Sequence, residues 1–378
     1  MIPSINRIRA IVRNYPVKIS VRLQHELTKN KDQKPPPKAA VDVVNYIENS
    51  PEYADVKDRL PRSLLRKYKT PESMYLINKS TAKVIAQTVK KHLNEHSPIV
   101  EVNPGLGLLS IELLHCQKKQ LYMYETSNHF TQYLNSLQLE HPGRVKLKIA
   151  DFFGMWKLAF QDKIDQGNRI EELLGDLATD DPEREVKIVG SMPGLSFMKH
   201  LINNIVFHNT TSQLGRPDLF ITMPGHHYEF LTDSEIQLSK HMSVPTLFQL
   251  LFDYKILTNV PKIHFLPWTH PATNKRVTMM DEYQLYLVNI TQKKDLPVPP
   301  EYLSLLWYFF KPHMFSKSTR VIPMLELISW PEFEQCQFRV SMENNLPKFV
   351  TAVDEDVKTS IDAHIDDVES SDSDSENS

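Results

Sequence analysis

Short apolar runs alternate, from residue 98 onward, with segments in which apolar residues recur every three or four positions. The runs predict strands over 99–102, 121–124, 145–149, 186–189 and 219–222. The intervening segments predict helices, among them 128–139 and 197–206. Strands that alternate with helices are joined by right-handed crossovers into a mostly parallel sheet. The pattern therefore predicts an α/β fold.

Less regular segments surround this alternation. Apolar residues aligned by fours predict a helix over 72–93, and residues 285–290 predict a late strand. The polar stretch 161–185 predicts an inserted helix and loop. Beyond the proline-rich segment 297–300, aromatic residues at helical spacing predict a small helical subdomain.

These changes of pattern divide the chain into five regions. We expect a leader over 1–34 and a linker with a basic extension over 35–67. The α/β domain covers 68–296, and the helical C-terminal subdomain covers 297–350. Residues 351–378 form an acidic tail that is too polar to fold alone.

The leader is basic and amphipathic. It carries five Lys and Arg residues in its first 25 positions and no acidic residue before Glu26, with Ile5, Ile8 and Ile11 on one helical face. This composition is typical of a mitochondrial transit peptide, whereas a secretory signal has an apolar central run. We therefore expect a protein of the mitochondrial matrix, at the nucleoid. A basic surface helix or a nucleic-acid-binding arm is the alternative.

Charge is unevenly distributed along the chain, although the formal net charge is only −2. Residues 354–378 hold ten acids and one base, which leaves the rest of the chain at +7. Between Lys57 and Lys91, ten bases face two acids. Such a cluster is typical of a surface that contacts phosphates, and equally of a solvated helical face. The candidates for phosphate contact are Lys67, Lys69, Lys79 and Lys83.

A glycine-containing turn, residues 103–107, follows the first strand and can bring its backbone close to a nucleotide-like ligand. It lacks the third glycine of a dinucleotide fingerprint, which disfavours a nicotinamide-dependent oxidoreductase. Glu125 ends the second strand, where a carboxylate can accept hydrogen bonds from both ribose hydroxyls. Asp151 ends the third strand beside Phe152 and Phe153, where it can receive an adenine amino group while the ring is stacked. These groups indicate a site for S-adenosylmethionine, unless they are ordinary strand-end caps.

The segments 101–107 and 150–153, together with Glu125, resemble the first three motifs of the rRNA adenine N6-dimethyltransferases. Residues 189–193 and 266–268 match as well, and the resemblance spans about 68 to 340. It implies a class I, Rossmann-like methyltransferase fold that depends on S-adenosylmethionine and ends in a helical subdomain. The residues expected to bind this cofactor are Leu76, Glu101, Asn103, Gly105, Gly107, Glu125 and Asp151.

The fourth strand departs from the active enzymes of this family. They carry Asn-Leu-Pro-Tyr or a close variant, in which the Asn accepts the hydrogens of the target amino group and the aromatic residue stacks on the flipped base. The aligned residues here are Ser191, Met192, Pro193 and Gly194. Serine is a shorter acceptor than asparagine, and glycine has no stacking face. The loss of stacking alone costs about 1–3 kcal/mol per base. We therefore assign no catalytic residue and expect dimethylation to be inefficient.

The cofactor segments depart less. Asn103 stands where the enzymes usually have glycine, and residues 73–76, Ser-Met-Tyr-Leu, replace their Gln-Asn-Phe-Leu. The aromatic residue and the leucine are kept, but the polar pair is lost. These changes predict weak binding of S-adenosylmethionine.

Within the family, the chain most resembles the mitochondrial transcription factor B branch. That resemblance implies a factor that joins the single-subunit mitochondrial RNA polymerase and helps to melt promoter DNA. The alternative is an active enzyme that dimethylates two adjacent adenines in a hairpin of mitochondrial small-subunit rRNA. No apolar stretch approaches the length of a membrane span, so we expect no membrane contact. In either role we expect a monomer.

The sequence offers little for metal binding or disulfides. Cys116 and Cys336 have no metal-ligand spacing around them. His226 and His227 are adjacent, and on an extended segment adjacent side chains point to opposite faces, so joint ligation is unfavourable. We predict no metal site.

Overall fold

The computed structural model describes residues 39–94, 97–179, 181, 183–207, 214–232, 243–270, 283–296 and 298–307. The predicted leader, most of the predicted helical subdomain and the acidic tail lie outside these residues. The chain divides into two compact units. The first comprises Met1–Thr232 and Leu247–Pro300, and the second comprises Asp233–Thr246 and Glu301–Ser378. In the second unit, Leu303 and Trp307 are buried.

The first unit is built on a seven-stranded sheet in the order β5-β4-β3-β6-β7-β11-β8. Its strands are β3 (Ile99–Val102), β4 (Leu121–Glu125), β5 (Val145–Ile149), β6 (Glu185–Ser191), β7 (Arg216–Pro224), β8 (Phe252–Pro261) and β11 (Gln284–Gln292). Strands β3 to β7 pair in parallel, whereas β11 runs antiparallel to both β7 and β8. The predicted α/β fold with a mostly parallel sheet is thus confirmed.

Two two-stranded sheets lie beside the large one. β1 (Lys67–Tyr68) pairs with β10 (Trp268–Thr269) in parallel, and β2 (Tyr75–Leu76) pairs antiparallel with β9 (Phe265–Leu266). These short pairings fix residues 67–76 against the segment that follows β8. They place Leu76 next to Phe265, and both side chains are buried.

Nine α-helices fall within the described residues. They are α1 (Val41–Asn49), α2 (Lys79–Lys90), α3 (Leu108–Cys116), α4 (Thr131–Glu140), α5 (Met155–Asp165), α6 (Arg169–Leu174), α7 (Ser196–Val206), α8 (Gly225–Thr232) and α9 (Ser243–Leu251). Of these, α3 to α7 lie in the crossovers between the parallel strands β3 to β7. α2 packs against α3, and the buried side chains of both join the core under β3 and β4. No helix in the described part of the chain is long and apolar enough to cross a membrane.

The helix predicted over 72–93 is shorter than expected. α2 begins at Lys79, because the side chain of Asn78 caps it by accepting a hydrogen bond from the amide of Thr81 over 3.0 Å. Residues 72–78 before the cap are extended and include β2. Lys67 and Lys69 therefore do not lie on the same helix as Lys79 and Lys83.

Residues 41–65, part of the range predicted as linker and extension, are packed onto the first unit. Val43 and Tyr53 are fully buried in its core. The ring of Tyr46 lies 5.3 Å from that of Trp268, centroid to centroid. Burial of apolar and aromatic groups is the main favourable term in folding, so this segment contributes to the stability of the domain.

Candidate cofactor site

The turn after β3 depends on residues that adopt left-handed backbone angles. Asn103, Gly105 and Gly107 have φ of 56°, 58° and 73°. Glycine adopts such angles without steric cost, and asparagine does so more readily than most other residues. The turn therefore keeps its backbone path although Asn103 replaces a glycine. Gly107 also precedes α3, whose first free amides face the carboxyl ends of the strands.

A small pocket opens at the carboxyl ends of β3, β6 and β7. Four of the residues predicted from the sequence lie around it: Leu76, Glu101, Asn103 and Ser191. Four more lining residues lie in the segments that carry the family resemblance, Val102, Pro104, Val189 and Gly190, whereas the sequence did not assign Ile85, Leu109, Thr222 or Phe265 to a site. The carboxyl ends of parallel strands are where open α/β sheets bind ligands. The pocket is therefore our candidate site.

Glu101 is the acidic group of this pocket. It is 2% exposed, and its Oε2 has no hydrogen-bond partner among the described residues. Burial raises the pKa of Glu101 to about 8, the neighbouring hydroxyl of Ser110 opposes this rise, and the nearby charge of Glu125 adds to it. A buried carboxyl oxygen without a partner can accept a hydrogen bond from a ligand, and a cationic ligand group there would lower the pKa again.

Glu125 is enclosed by protein donors. Its Oε2 accepts from the amide of Gly105 over 2.9 Å, and its Oε1 accepts from the amide of Ser127 over 2.7 Å and from the hydroxyl of Tyr75 over 3.1 Å. The side chain is fully buried, and burial raises its pKa, while the two backbone amides and Tyr75 counteract this rise. Glu125 thus stands at the predicted place, next to the glycine turn.

Asp151 lies apart from the pocket and is exposed. Its Oδ1 accepts from the amide of Gly154 over 2.8 Å, which closes a local turn. Phe152, expected beside a stacked adenine, is fully buried between Tyr124 and Phe197, with ring centroids 4.8 and 6.0 Å away. Phe152 therefore offers no face to a ligand. Phe153 is 9% exposed, and its ring lies 5.0 Å from that of Phe197 in a tilted arrangement; Phe197 is fully buried.

The fourth-strand loop follows β6 as predicted. Ser191 lies at the pocket, and Met192 is buried and bonded through its amide to the carbonyl of Thr222 over 2.9 Å. A Cβ added to Gly194 would meet no atom within 4 Å. Gly194 offers no stacking face, and a Cβ at this position is not blocked by its surroundings.

Two of the four lysines proposed for phosphate contact have acidic neighbours. Lys67 forms an ion pair with Asp42, and Lys79 pairs with Asp55 over 2.7 Å. Lys69 and Lys83 are exposed and form no ion pair within the described ranges. The structure thus separates the four lysines into a paired set and an unpaired set.

His226 and His227 lie in the first turn of α8 rather than on an extended segment, because the helix begins at Gly225, directly after β7. Their ring centroids are 4.1 Å apart. Among the residues that the structure describes, no group of three or more His, Cys, Asp or Glu side chains could hold a metal ion.

The sequence did not reveal the roles of Tyr75 and Thr126. The hydroxyl of Tyr75 is also 3.2 Å from Oγ1 of Thr126, which in turn donates to Oδ1 of Asn103 over 3.2 Å. Thr126 directly follows Glu125, and this position beside a strand-end carboxylate is the signal that could have marked it. The contact of Tyr75 spans 50 positions and has no local signature.

S-adenosylmethionine fits this donor set in part. Glu101 supplies an unpartnered acceptor for the amino-acid portion, and Leu76 supplies apolar contact beside it. Glu125 is placed to receive ribose hydroxyls, but its oxygens already have protein partners. Such a cofactor supplies an activated methyl group when bound, and the residues of this chain would bind and orient it.

The order of the sheet, with one reversed strand between β7 and β8 and a ligand pocket at the strand ends, defines a class I methyltransferase fold. A family model described as ribosomal RNA adenine dimethylase matches residues 66–352. The mitochondrial dimethyladenosine transferase 2 of Drosophila melanogaster is 33% identical over 284 residues, which are 70% of this chain and 62% of the relative. The chain belongs to the ribosomal RNA adenine dimethylase family.

Two solved structures are similar in fold at low identity. The 23S rRNA methyltransferase ErmE is 15% identical, with a TM-score of 0.40, over 71% of this chain and 88% of that one. A dimethyladenosine transferase from Plasmodium falciparum is 13% identical, with a TM-score of 0.37, over 58% of this chain and 64% of the other.

Proposed function

We propose that the protein is a mitochondrial transcription initiation factor of the transcription factor B branch, similar to its second animal paralogue. In this role it joins the single-subunit mitochondrial RNA polymerase and stabilises melted promoter DNA in the matrix. The observation that carries the proposal is the fourth-strand loop, where Ser191 and Gly194 replace the acceptor and the stacking group of the enzymes. A methyltransferase scaffold without these groups is suited to binding nucleic acid rather than to methylating it.

Two further observations support the proposal. The relative in Drosophila melanogaster is named as mitochondrial, which agrees with the basic, acid-free leader. The exposed Lys69 and Lys83 precede the sheet, where cations can contact the phosphates of an opened strand. The site at Glu101 and Glu125 holds S-adenosylmethionine weakly in this proposal. The protein acts as a monomer.

The second candidate is an active S-adenosylmethionine-dependent dimethyltransferase of mitochondrial small-subunit rRNA. Family membership favours it, as does the pocket lined by Glu101 and Ser191. The two functions differ in what the fourth-strand loop must do. An enzyme must hold the target adenine, whereas a melting factor need not.

Two assays on the same protein separate the candidates. The first measures methyl transfer from labelled S-adenosylmethionine to an rRNA hairpin with two adjacent adenines. The second measures promoter-dependent run-off transcription with the mitochondrial RNA polymerase on closed and on pre-melted templates. We expect no more than trace methylation, and transcription that depends on the protein for closed templates only. Efficient methylation without any effect on transcription would overturn the proposal in favour of the enzyme.

The loop itself provides the matched variant. Ser191→Asn combined with Gly194→Tyr restores the acceptor and the stacking face, and a Cβ at position 194 meets no atom within 4 Å. If the loop is what limits methylation, this variant methylates the hairpin measurably faster than the wild type. Phe197→Leu, in the neighbouring core, is the control and should not raise the rate. If this variant methylates no faster than the wild type, the loop does not limit methylation, and the cofactor site does.

A further inference from the structure

We propose that Tyr75 is a latch on the cofactor site: its hydroxyl occupies the Glu125 oxygen that a ribose diol requires, so S-adenosylmethionine or S-adenosylhomocysteine binds only after Tyr75 moves. This inference rests on the proposed role of Glu125 in holding the cofactor. It does not depend on the role of the protein in transcription.

The number of hydrogen bonds that Glu125 can still accept limits how a ribose can bind to it. A carboxylate oxygen has two lone pairs. Oε1 already accepts from the amide of Ser127 at 2.7 Å and the hydroxyl of Tyr75 at 3.1 Å, with Thr126 Oγ1 at 3.5 Å. Oε2 accepts only from the amide of Gly105, at 2.9 Å. Oε2 therefore keeps a lone pair for a ribose hydroxyl, but a diol that uses both oxygens must displace a donor from Oε1.

Tyr75 is the donor on Oε1 that can leave. The Ser127 amide is part of the chain that continues from β4, and its position is fixed by the turn at the strand end. The Tyr75 hydroxyl is the end of a side chain, and it can leave by rotation about its side-chain bonds. Displacement of Tyr75 thus requires no change in the sheet.

The hydroxyl is held in place by a second polar contact. It lies 3.2 Å from Oγ1 of Thr126, whose own hydroxyl donates to Oδ1 of Asn103 over 3.2 Å. The chain Asn103–Thr126–Tyr75–Glu125 thus joins the glycine turn, the end of β4 and the start of β2. A buried hydrogen bond to a charged group is stronger than one between neutral groups, so a ligand must compete with a substantial contact.

The ring of Tyr75 closes the same space. A Cβ added to Gly105 would lie 2.8 Å from Cδ1 of Tyr75, so the ring is in contact with the backbone of the turn. On its other side the ring lies 5.0 Å from that of Phe130, which is fully buried. Tyr75 itself is 6% exposed. Close approach of a ligand to this part of the turn therefore also requires the ring to move.

The test is a calorimetric titration of the full chain with S-adenosylmethionine and, separately, with S-adenosylhomocysteine. Tyr75→Phe keeps the ring and removes the hydroxyl, and we expect it to bind both about tenfold more tightly than the wild type and to associate faster in stopped flow. Tyr124→Phe is the matched control. It removes a buried hydroxyl from the residue that precedes Glu125 on β4. That hydroxyl donates to the carbonyl of Leu173 over 2.9 Å and not to Glu125. Its affinity should equal that of the wild type.

Other outcomes separate the latch from the cofactor site. A Tyr75 hydroxyl with a purely structural role would lower the melting temperature in Tyr75→Phe without tightening binding, and that result overturns the latch. Glu125→Ala should abolish binding. If Glu125→Ala binds as the wild type does, or if neither wild type nor Tyr75→Phe binds, the assignment of the site itself is wrong. Thr126→Val, which removes the second partner of the hydroxyl, should tighten binding less than Tyr75→Phe and serves if that variant fails to fold.

Discussion

Lys187 and Asp218 are cross-strand neighbours on β6 and β7, and Nζ of Lys187 donates to Oδ2 of Asp218 over 2.8 Å. Both residues are buried, with exposed fractions of 6% and 8%. The second oxygen of Asp218 accepts from Asn289 and Thr291, so the buried charges have partners. The pair lies near the amino ends of its strands, away from the candidate cofactor site.

Removing one partner of this pair should be costly. Asp218→Ala leaves the ammonium of Lys187 buried with only Glu185 beside it, at 3.1 Å, and we expect a loss of about 3–5 kcal/mol in the free energy of unfolding. Asp176→Ala is the control, because its pair with Lys146 is exposed to solvent and should contribute far less to stability. Urea denaturation measures both. Equal losses in the two variants would contradict this account.

Glu101 predicts a pH dependence of stability. Its pKa in the folded protein is about 8, well above its ordinary value, so folding favours the protonated form. Folding then takes up a proton, and the stability falls as the pH rises towards and through 8. Glu101→Gln removes this loss, at about 1.4 kcal/mol per unit of pKa shift as an upper bound. We expect the variant to gain on the wild type between pH 6 and pH 9 in urea melts.

The control for this pH effect is Glu140→Gln, an exposed position at the end of α4. It should follow the wild type at every pH. A stability difference between Glu101→Gln and the wild type that stays constant from pH 6 to pH 9 would show that Glu101 does not titrate in this range.

Substitution of Asn78 should lower the stability through the loss of two separate contacts. Its Oδ1 caps α2, and its Nδ2 donates to Oε2 of Glu52 over 3.0 Å. Asn78→Ala loses both contacts, and we expect a cost of about 1–2 kcal/mol. Asn78→Asp keeps the cap but sets a second carboxylate against Glu52. Thermal melts at pH 7 should place Asn78→Asp below the wild type, and Asn78→Asp combined with Glu52→Gln should recover part of the loss.

The paired and the unpaired lysines should contribute differently to the salt dependence of binding to single-stranded DNA. Each phosphate neutralised on a single strand contributes a slope of about −0.7 to the plot of log affinity against log salt. Replacing Lys69 and Lys83 with alanine should therefore flatten the slope for single-stranded DNA by about one to one and a half units. Replacing Lys67 and Lys79 should flatten it less, because Asp42 and Asp55 already face them. Fluorescence anisotropy over a salt series measures the slopes, and equal changes in the two pairs would remove the distinction.

The apolar pattern was sufficient for the buried strands. β3 and β5 begin and end at the predicted residues, β3 as a short, mostly apolar run and β5 as an alternation of apolar residues with lysines. β8 was missed, since it is an edge strand whose exposed and partly buried positions, from Phe252 to Pro261, give no clean alternation. The early start predicted for α2 came from periodicity alone, although Asn78 is a residue type that favours helix caps.

The sequence was sufficient to predict the carboxylates at the ends of the strands, but not the orientations and long-range contacts of the other side chains. Glu125 follows from its position at the end of an apolar strand, because parallel strands align their carboxyl ends, whereas Glu101, inside β3, was expected from the family resemblance alone. The exposure of Asp151 and the burial of Phe152 depend on how a short turn orients its side chains, which spacing does not encode. The contact between Tyr75 and Glu125 arises only once β2 is paired with β9, far along the chain.

The attachment of the segment before the sheet bears on how the chain can be matured. The amide of Ala40 donates to the carbonyl of Leu65 over 2.8 Å, and one helical turn later Val43 is fully buried. Cleavage beyond Ala40 would therefore remove groups that the domain needs to stay folded. Any leader that this protein sheds must be cut off before that boundary.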